Sequence, residues 1–418
     1  MGARICIVSL SDLARDGRVL RQIDAAAAAG YDVAVVGWGA PGDVPLPAGV
    51  AFHPVAPVRL PRRARVAQAA RLLAGRASSR WFERWYWRKP DHGAARDAVI
   101  AARPDLVHAN EAISLPLALA AAEALRRPAV DRSPAPAATA RTTAGGDAPV
   151  PVLFDAHEYS PDRLARRSLT RFLARPFYTW LIRTQAPRAA AMTTVADGIA
   201  DRYRAAFGLD PVVIRNCPAY RALPPRSTDP TRITLVHHGV ALRARRLEAM
   251  IDVVAGCDDR YRLAFMLVES DPGYVDALAQ RAARVAPGRV AFHAPVAPAE
   301  IAPKLHGLGD IGLFLLPPVD FSYRMALPNK LFEFIMAGLA VAIGPSPEMA
   351  QVVDAHGCGV VAPDFAPASL AALLNALSSD DIDAMKGRSL AAARVLNAEV
   401  EMGRLMALYG SVLEAARR

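Results

Sequence analysis

Short apolar segments alternate with amphipathic helical patterns along most of this chain, and the alternation begins twice. In the first half, strand patterns at residues 4–9 and 31–36 flank a helical pattern that ends at Gly30. The second half begins again with a strand pattern at residues 233–238. A strand–helix–strand unit builds a parallel sheet with a right-handed crossover. A chain of 418 residues suits two such domains, so the sequence predicts an α/β protein with two parallel sheets.

The most informative stretch is residues 327–347, which read L-P-N-K-L-F-E-F-I-M-A-G-L-A-V-A-I-G-P-S-P. Pro328 is typical of a first helical residue, and Gly338 is typical of the left-handed residue that follows a helix. Three apolar residues at i, i+3 and i+4 spacing share one face of this helix: Leu331, Phe334 and Ile335. The sequence therefore predicts a short helix, followed by a buried strand at residues 341–343.

Asn329 and Glu333 fall on the opposite side of this helix from the apolar face. The start of a helix presents free N–H groups and a partial positive charge, which suit a phosphate. An ionised Glu333 only accepts hydrogen bonds, and it has enough oxygens for both hydroxyls of a ribose. The alternative is a solvated surface glutamate on a core helix.

A basic loop follows the first strand of the second half. Gly239 comes directly after this strand, and Arg243, Arg245 and Arg246 follow within seven residues. Guanidinium groups are permanently charged and pair with phosphate oxygens in a bidentate manner. The strand and the glycine that precede these arginines therefore predict that the loop binds phosphate. The alternative is a solvated loop.

Polar residues also follow the predicted strands of the first half, at the edge where parallel sheets bind ligands. They are Asp16, Arg18, His108, Asn110, Glu111, His157 and Glu158. Five of them have a structural alternative. Asp16 would cap the following helix, Arg18 would be solvated, and His108 would be a structural histidine. His157 and Glu158 would brace the next helix.

The segment P-N-K-L-F-E-F-I-M-A-G-L-A-V resembles the donor-site segment of family-4 glycosyltransferases of GT-B fold. That family has two glutamates eight residues apart. Glu333 matches the second, which the family uses on the nucleotide ribose, and Met325 stands at the position of the first, where the family holds the transferred sugar. Gly239 with Arg245 resembles the family's phosphate loop, in which a glycine usually occupies the position of Arg246.

Other parts of the chain resemble the same family. D-A-H-E at residues 155–158 is similar to a motif of the acceptor domain whose histidine faces the donor sugar, and Asn216 matches an I-x-N motif near the domain crossing. The resemblance implies two Rossmann-like domains whose parallel sheets face a central cleft. The expected boundaries are 1–217 for the acceptor domain with a mobile insertion at 127–151, 218–230 for a linker, 231–395 for the nucleotide-sugar domain, and 396–418 for a helix that crosses back.

The resemblance implies a retaining transferase in which the nucleoside diphosphate leaves from the front face. Its expected catalytic residues are Arg245, Glu333 and His157. Its expected donor-binding residues are Gly239, Arg243, Arg246, Pro328, Asn329 and Lys330. The acceptor side or cleft is expected to include Asp16, Arg18, His108, Glu158 and Asn216. A nucleotide-sugar epimerase and a non-catalytic partner subunit of a transferase remain alternatives.

Several kinds of site have no signal in the sequence. Without G-x-G-x-x-G, a nicotinamide or flavin cofactor is disfavoured. Without D-x-D or a His/Asp cluster at metal spacing, no essential metal is expected. The four scattered cysteines are expected to be reduced thiols. No apolar run reaches the roughly 18 residues of a spanning helix, so we expect a cytoplasmic protein, at most peripheral on the inner face of the plasma membrane.

Positive charge is concentrated at residues 59–90, which hold ten basic residues and one acidic residue, or +9 of the net charge of +10. Five aromatic residues lie in the same segment: Trp81, Phe82, Trp85, Tyr86 and Trp87. Such a segment predicts an anionic membrane surface as partner and a lipid-linked or other glycan acceptor. The alternative is a solvated helix whose aromatic rings pack inward. No nucleic-acid-binding module is recognised, so nucleic acid is not expected as a partner.

Overall fold

A computed structural model describes residues 2–40, 42–58, 62–125, 149–162 and 168–418. Most of the insertion predicted at 127–151 lies outside the described residues, as do Arg59 and the start of a second basic stretch at residues 163–188. The chain divides into two compact units. The first unit consists of residues 1–195, 199–214 and 402–418, and the second of residues 196–198 and 215–401.

The first unit contains a seven-stranded sheet in which every adjacent pair is parallel. Its strands are β1 (Arg4–Asp12), β2 (Asp32–Trp38), β3 (Ala51–Pro54), β4 (Leu106–Asn110), β5 (Val152–Ala156), β6 (Ala191–Thr194) and β7 (Val212–Val213). The spatial order is β3-β2-β1-β4-β5-β6-β7, so the order reverses between β1 and β4. Ligands of open α/β sheets bind at such a reversal, beyond the carboxyl ends of the strands.

The helices in the first part of the chain are α1 (Gly17–Ala28), α2 (Arg62–Ala74), α3 (Arg80–Trp87), α4 (Pro90–Ala102), α5 (Leu115–Ala124), α6 (Ser168–Gln185) and α7 (Asp197–Phe207). The predicted first helix is α1, and Asp16 caps it by accepting a hydrogen bond from the Val19 N–H at 3.3 Å. Gly30 follows with φ +82°, a left-handed conformation that glycine adopts without steric cost.

The second unit contains a six-stranded parallel sheet in the order β10-β9-β8-β11-β12-β13. Its strands are β8 (Ile233–Ala241), β9 (Tyr261–Glu269), β10 (Val290–His293), β11 (Ile311–Phe314), β12 (Ala340–Ile343) and β13 (Gly359–Val361). The remaining helices are α8 (Glu248–Gly256), α9 (Tyr274–Val285), α10 (Ile301–Leu308), α11 (Phe321–Arg324), α12 (Asn329–Met336), α13 (Pro347–His356), α14 (Pro367–Asn375), α15 (Ser379–Ala393) and α16 (Ala398–Arg417). The reversal here lies between β8 and β11.

Helix α12 and strand β12 confirm the prediction for residues 327–347. The predicted apolar face is buried, and Gly338 has φ +66° directly after the helix ends. One detail of the prediction is wrong. Pro328 is the residue before the helix, with ψ 153°, so that Asn329 is the first helical residue.

The last helix contributes to the core of the first unit. Leu405, Tyr409 and Val412 of α16 are buried in one cluster with Ile5 and Ile7 of β1. The ring of Tyr31 meets that of Tyr409 edge to face at 5.9 Å. The apolar stripe of α16 therefore covers the sheet of the first unit, although the helix lies about 400 residues from β1 in the sequence.

The aromatic residues of the basic segment do not share one surface. Phe82, Trp85 and Tyr86 are buried, and the Trp85 ring packs at 4.5 Å against Phe177 of α6. The prediction that these rings lie at a bilayer interface is therefore wrong for the three buried residues. Trp81 is exposed, although it lies one helical turn before the buried Trp85 on α3.

Candidate functional site

A buried carboxylate organises the carboxyl edge of the sheet in the first unit. Asp155 of β5 has no exposed surface and accepts two hydrogen bonds from Arg18, Nε–Oδ2 at 2.8 Å and Nη2–Oδ1 at 2.9 Å. Gln22 Nε2 and Thr193 Oγ1 donate to the same carboxylate at 2.7 and 2.8 Å. We call Arg18, Gln22, Asp155, His157 and Thr193 the Asp155 cluster.

Electrostatics keeps Asp155 ionised despite its burial. Burial raises the pKa of Asp155, but the positive charges of Arg18 and His157 outweigh it and hold the pKa well below its usual range. A bidentate guanidinium–carboxylate pair with further donors is the arrangement that offsets the cost of removing two charges from water. The prediction placed Arg18 on the acceptor side; the structure shows it buried beneath that edge, with Nη1 donating to the Ile214 carbonyl at 2.8 Å.

His157 is the member of the Asp155 cluster that reaches the surface, with 18% of its side chain exposed. Its Nε2 lies 3.3 Å from Asp155 Oδ2 and 3.1 Å from Asn110 Oδ1, and its Nδ1 lies 3.3 Å from Glu111 Oε1. Burial lowers the pKa of His157, but Glu111 and Asp155 raise it by more, so the net shift is upward. The structure therefore assembles a partly exposed imidazole that binds a proton more readily than a free histidine.

Glu111 occupies a strained backbone conformation beside His157. It has φ +66° and ψ 149°, a region that residues other than glycine rarely adopt, at a cost of about 1–3 kcal/mol. A hydrogen bond of 2.8 Å from its N–H to the Asp155 carbonyl holds it there. Such strain is concentrated at functional sites, and here it brings a second carboxylate to His157.

Four other predicted residues remain to be placed, and two of them, His108 and Asp16, have structural roles. His108 has no exposed surface, its Nδ1 lies 2.6 Å from the Tyr409 hydroxyl, and burial lowers its pKa to about 4. Asp16 caps α1, as its structural alternative proposed. Glu158 receives a hydrogen bond at its backbone carbonyl from the Tyr203 hydroxyl at 3.0 Å. Asn216 is half-buried and belongs to the second unit.

The second unit brings four residues together at the carboxyl end of β8 and the start of α12. His238, Gly239, Lys330 and Glu333 form what we call the Glu333 cluster. The Glu333 Oε2 atom lies 3.1 Å from His238 Nε2. A Cβ added to Gly239, which has φ +105°, would lie only 2.7 Å from Lys330 Nζ. The positive φ favours glycine here, and a Cβ would displace the end of the Lys330 side chain, whose ammonium group lies directly over the backbone.

The amine of Lys330 has a strongly lowered pKa. Its residue is 8% exposed, and Nζ lies 5.4 Å from the centre of the Phe314 ring. Burial, and to a lesser extent the charge of Arg245, lower the pKa of Lys330 to about 7 against the opposing charge of Glu333. An anion near Nζ would stabilise the protonated form, so this amine is suited to bind a phosphate at neutral pH.

The three arginines of the predicted phosphate loop do not act as one group. Arg245 donates to the Val240 carbonyl at 3.0 Å, and its charge acts on Lys330. The guanidinium group of Arg243 stacks on the Tyr274 ring at 4.8 Å, and the backbone N–H of Arg243 donates to Asp271 Oδ2 at 2.8 Å. Arg243 and Arg246 line a cavity of about 480 Å³, which Arg245 does not line.

Arg246 has a backbone conformation that glycine adopts more readily than other residues. Its φ is +50° and its ψ is 52°, a left-handed conformation in which it ends the short helical turn of residues 243–245. The loop geometry that favours glycine is thus kept here with an arginine, which adds a guanidinium group at the wall of the cavity.

Sequence reasoning missed the two residues that orient the predicted ones. In the sequence, Asp155 stands only as the first residue of D-A-H-E, and His238 only as the end of a strand pattern. A signal existed for both, since each lies at or near the carboxyl end of a parallel strand, where polar residues are often functional. Within the described residues, no three His, Cys, Asp or Glu side chains are grouped so as to hold a metal ion.

The comparisons with known proteins bear on the fold. No protein-family model matches the chain, and no curated protein sequence matches it. Solved structures do. HepE of Anabaena, in complex with UDP and glucose, has a TM-score of 0.66 at 14% identity over 98% of this chain and all of that one. Sucrose-phosphate synthase from Thermosynechococcus elongatus has a TM-score of 0.68 at 14% identity over 99% of this chain and all of that one.

A third neighbour is WaaG, a glycosyltransferase involved in lipopolysaccharide biosynthesis, with a TM-score of 0.62 at 13% identity over 96% of this chain and 98% of that one. These neighbours share the GT-B fold, and the likeness extends over both units of the chain. The prediction of a two-domain GT-B fold with two parallel sheets is confirmed. The narrower assignment to family 4 stays a prediction.

Proposed function

We propose that this chain is a glycosyltransferase that binds a nucleoside diphosphate sugar at the Glu333 cluster of its second unit. The observation that carries the proposal is the position of Lys330, whose buried ammonium group lies directly over Gly239 at the reversal between β8 and β11. This is where an α/β sheet binds a phosphate. The fold supports the same function, since HepE was solved in complex with UDP-glucose.

The proposed mechanism is a retaining transfer in which the nucleoside diphosphate leaves from the face that the acceptor attacks. The bond from the anomeric carbon to the diphosphate breaks, the bond to the acceptor oxygen forms, and the acceptor proton passes to the leaving group. Arg245 and Lys330 stabilise the negative charge that grows on the diphosphate. Glu333 binds the ribose, and protonated His157 acts as a hydrogen-bond donor. No metal is required in this scheme.

The acceptor is proposed to be a glycan precursor, lipid-linked and presented at an anionic membrane. The supporting observation is a basic segment on and around α2 and α3, in which five arginines are exposed: Arg63, Arg76, Arg80, Arg84 and Arg88. Two exposed rings each lie within reach of an arginine of this segment. Arg76 stacks over Phe172 at 4.4 Å, and Arg84 over Trp81 at 5.3 Å. No helix of the described residues is both long enough and apolar enough to cross a bilayer.

Calorimetric titration with UDP, GDP and ADP, followed by an assay of their glucose or mannose conjugates, tests the proposed donor. At least one diphosphate is expected to bind, and Arg245→Ala is expected to lower turnover more than binding, because its partner charge grows in the transition state. Arg284→Ala, an exposed arginine on α9, is the matched control and should change neither. Absence of binding to all three diphosphates would refute the proposal.

The same assay separates the alternatives. An epimerase would convert the donor without an acceptor, and a non-catalytic partner subunit would bind the donor without turnover. Membrane binding is tested by sedimentation with vesicles of neutral lipid, alone or with anionic lipid. Binding should require the anionic lipid, fall with salt, and decrease in the triple variant Arg76→Glu, Arg80→Glu, Arg84→Glu. Equal binding to both kinds of vesicle would contradict an electrostatic surface.

A further inference from the structure

His238 lies in the second unit, next to Gly239 on β8, and its side chain is directed at Glu333. Its Nε2 lies 3.1 Å from Glu333 Oε2, and the residue is 3% exposed. The ring is held from a second direction by Phe334, whose ring it meets edge to face at 5.5 Å. His237, the preceding residue, points to the other face of the sheet and contacts the Leu313 carbonyl at 2.9 Å. Of the two adjacent histidines, His238 is therefore the one that lies beside the Glu333 carboxylate.

The chemistry of this contact follows from the charge state of His238. Burial lowers the pKa of His238, and the hydrogen bond and charge of Glu333 oppose this only in part. The ring is therefore neutral at neutral pH and carries one N–H. With a carboxylate facing Nε2, the tautomer with its proton on Nε2 is favoured. Nε2 lies 3.1 Å from the carboxylate oxygen without hydrogen-bond geometry in this conformation, and a rotation of either side chain would be needed to form the bond.

A neutral donor differs from a cation in what it does to Glu333. A salt bridge would compensate the negative charge of the carboxylate and compete with a ligand for both oxygens. An imidazole N–H occupies one lone pair of Oε2 and leaves the charge in place. The other lone pairs of the carboxylate remain available to two hydroxyl donors. The side chain is thereby fixed, with 15% of its surface exposed.

We infer that His238 is a positioning residue, which fixes the carboxylate of Glu333 so that its free lone pairs meet the 2′- and 3′-hydroxyls of a ribose. The ligand class is thus a ribonucleoside diphosphate sugar, and the site rejects 2′-deoxyribonucleotides. The inference rests on the proposed function. Rejection arises because a partly buried carboxylate that is held in place cannot turn away to find another donor when one hydroxyl is missing.

The test is a comparison of two ligands on four proteins by titration calorimetry. The ligands are the tightest binder among UDP, GDP and ADP, and its 2′-deoxy analogue. The proteins are the wild type, His238→Leu, which keeps a buried side chain of similar size, His238→Gln, whose amide nitrogen replaces Nε2, and Glu333→Gln. Melting curves verify that each variant is folded.

The wild type should bind the ribonucleotide at least about tenfold more tightly than the deoxy analogue, as expected for a hydrogen bond to a charged group. His238→Leu should lose about tenfold in affinity for the ribonucleotide and little for the analogue, and His238→Gln should recover most of the loss. In Glu333→Gln, adding His238→Leu should have little further effect.

Equal losses for both ligands in His238→Leu would show that His238 supports the fold alone, and would overturn the inference. Unchanged selectivity in His238→Leu would overturn it as well, while the proposed function would stand. If the wild type binds none of the three diphosphates, the proposed function fails, and the inference fails with it.

Discussion

Removal of the Asp155 carboxylate is expected to destabilise the first unit strongly. Asp155→Ala removes the partner of the Arg18 guanidinium group, and Arg18 is only 4% exposed. The variant also leaves the side-chain donors of Gln22 and Thr193 without their acceptor. Loss of one partner of a buried pair costs about 3–5 kcal/mol, because the other charge stays in a medium of low polarity. Each uncompensated neutral donor adds roughly 1 kcal/mol or more. A loss of at least about 4 kcal/mol in the free energy of unfolding is expected.

An exposed pair in the same sheet provides a matched control. Arg4 contacts Asp32 at 2.6 Å, but both side chains are 45% exposed. Asp32→Ala is therefore expected to cost no more than about 1 kcal/mol, because water screens the pair and replaces its hydrogen bonds. Urea denaturation of the full chain measures both variants. Equal losses in the two variants would refute the reasoning that burial makes the Asp155 cluster a main source of stability.

The pH dependence gives a second readout of the same change. The pKa of Asp155 is depressed in the folded chain, so its contribution is present at neutral pH and is lost as the pH falls through that depressed value. The pKa of His157 is raised, so the stability from its protonated form is present below its unfolded pKa and is lost as the pH rises through the folded value. Asp155→Asn should lower the pKa of His157 in an NMR titration, because one of two carboxylates is removed. An unchanged pKa would contradict the cluster.

Three further outcomes are expected. Gly239→Ala should weaken binding of a nucleoside diphosphate at least about tenfold, because its Cβ would displace Lys330 Nζ. The matched control is Gly288→Ala, since Gly288 also has a positive φ, +71°, but has open space around it. This variant should leave binding unchanged. In the wild type, affinity for the diphosphate should fall as the pH rises through about 7, where Lys330 loses its proton, and Lys330→Met should remove this dependence. Tyr409→Phe should lower the free energy of unfolding by about 1–3 kcal/mol, measured in urea, since buried His108 Nδ1 loses its partner at 2.6 Å; an unchanged midpoint would contradict it.

The features that the sequence predicted are those with local physical causes. The strand–helix alternation requires only a period of apolar residues, and it led to the parallel sheets. The end of α12 could be predicted because a helix often ends in a left-handed backbone conformation, which glycine adopts without the cost that other residues incur. Gly338 has φ +66°, which confirms the prediction. The apolar face of α12 followed from helical spacing alone. Each of these depends on residues within about ten positions of one another.

The features that the sequence did not predict depend on which strands and helices are neighbours in space. Arg18 and Asp155 are 137 residues apart in the sequence. They meet because α1, which carries Arg18, begins at the carboxyl edge of the sheet to which β5 belongs. His238 meets Glu333 because β8 lies next to β11, the strand that precedes α12. Trp85 was equally compatible with a bilayer surface and with a core, and only the presence of Phe177 on α6 decided for the core. Sequence patterns show which face of an element is apolar, whereas the tertiary structure determines which partner that face meets.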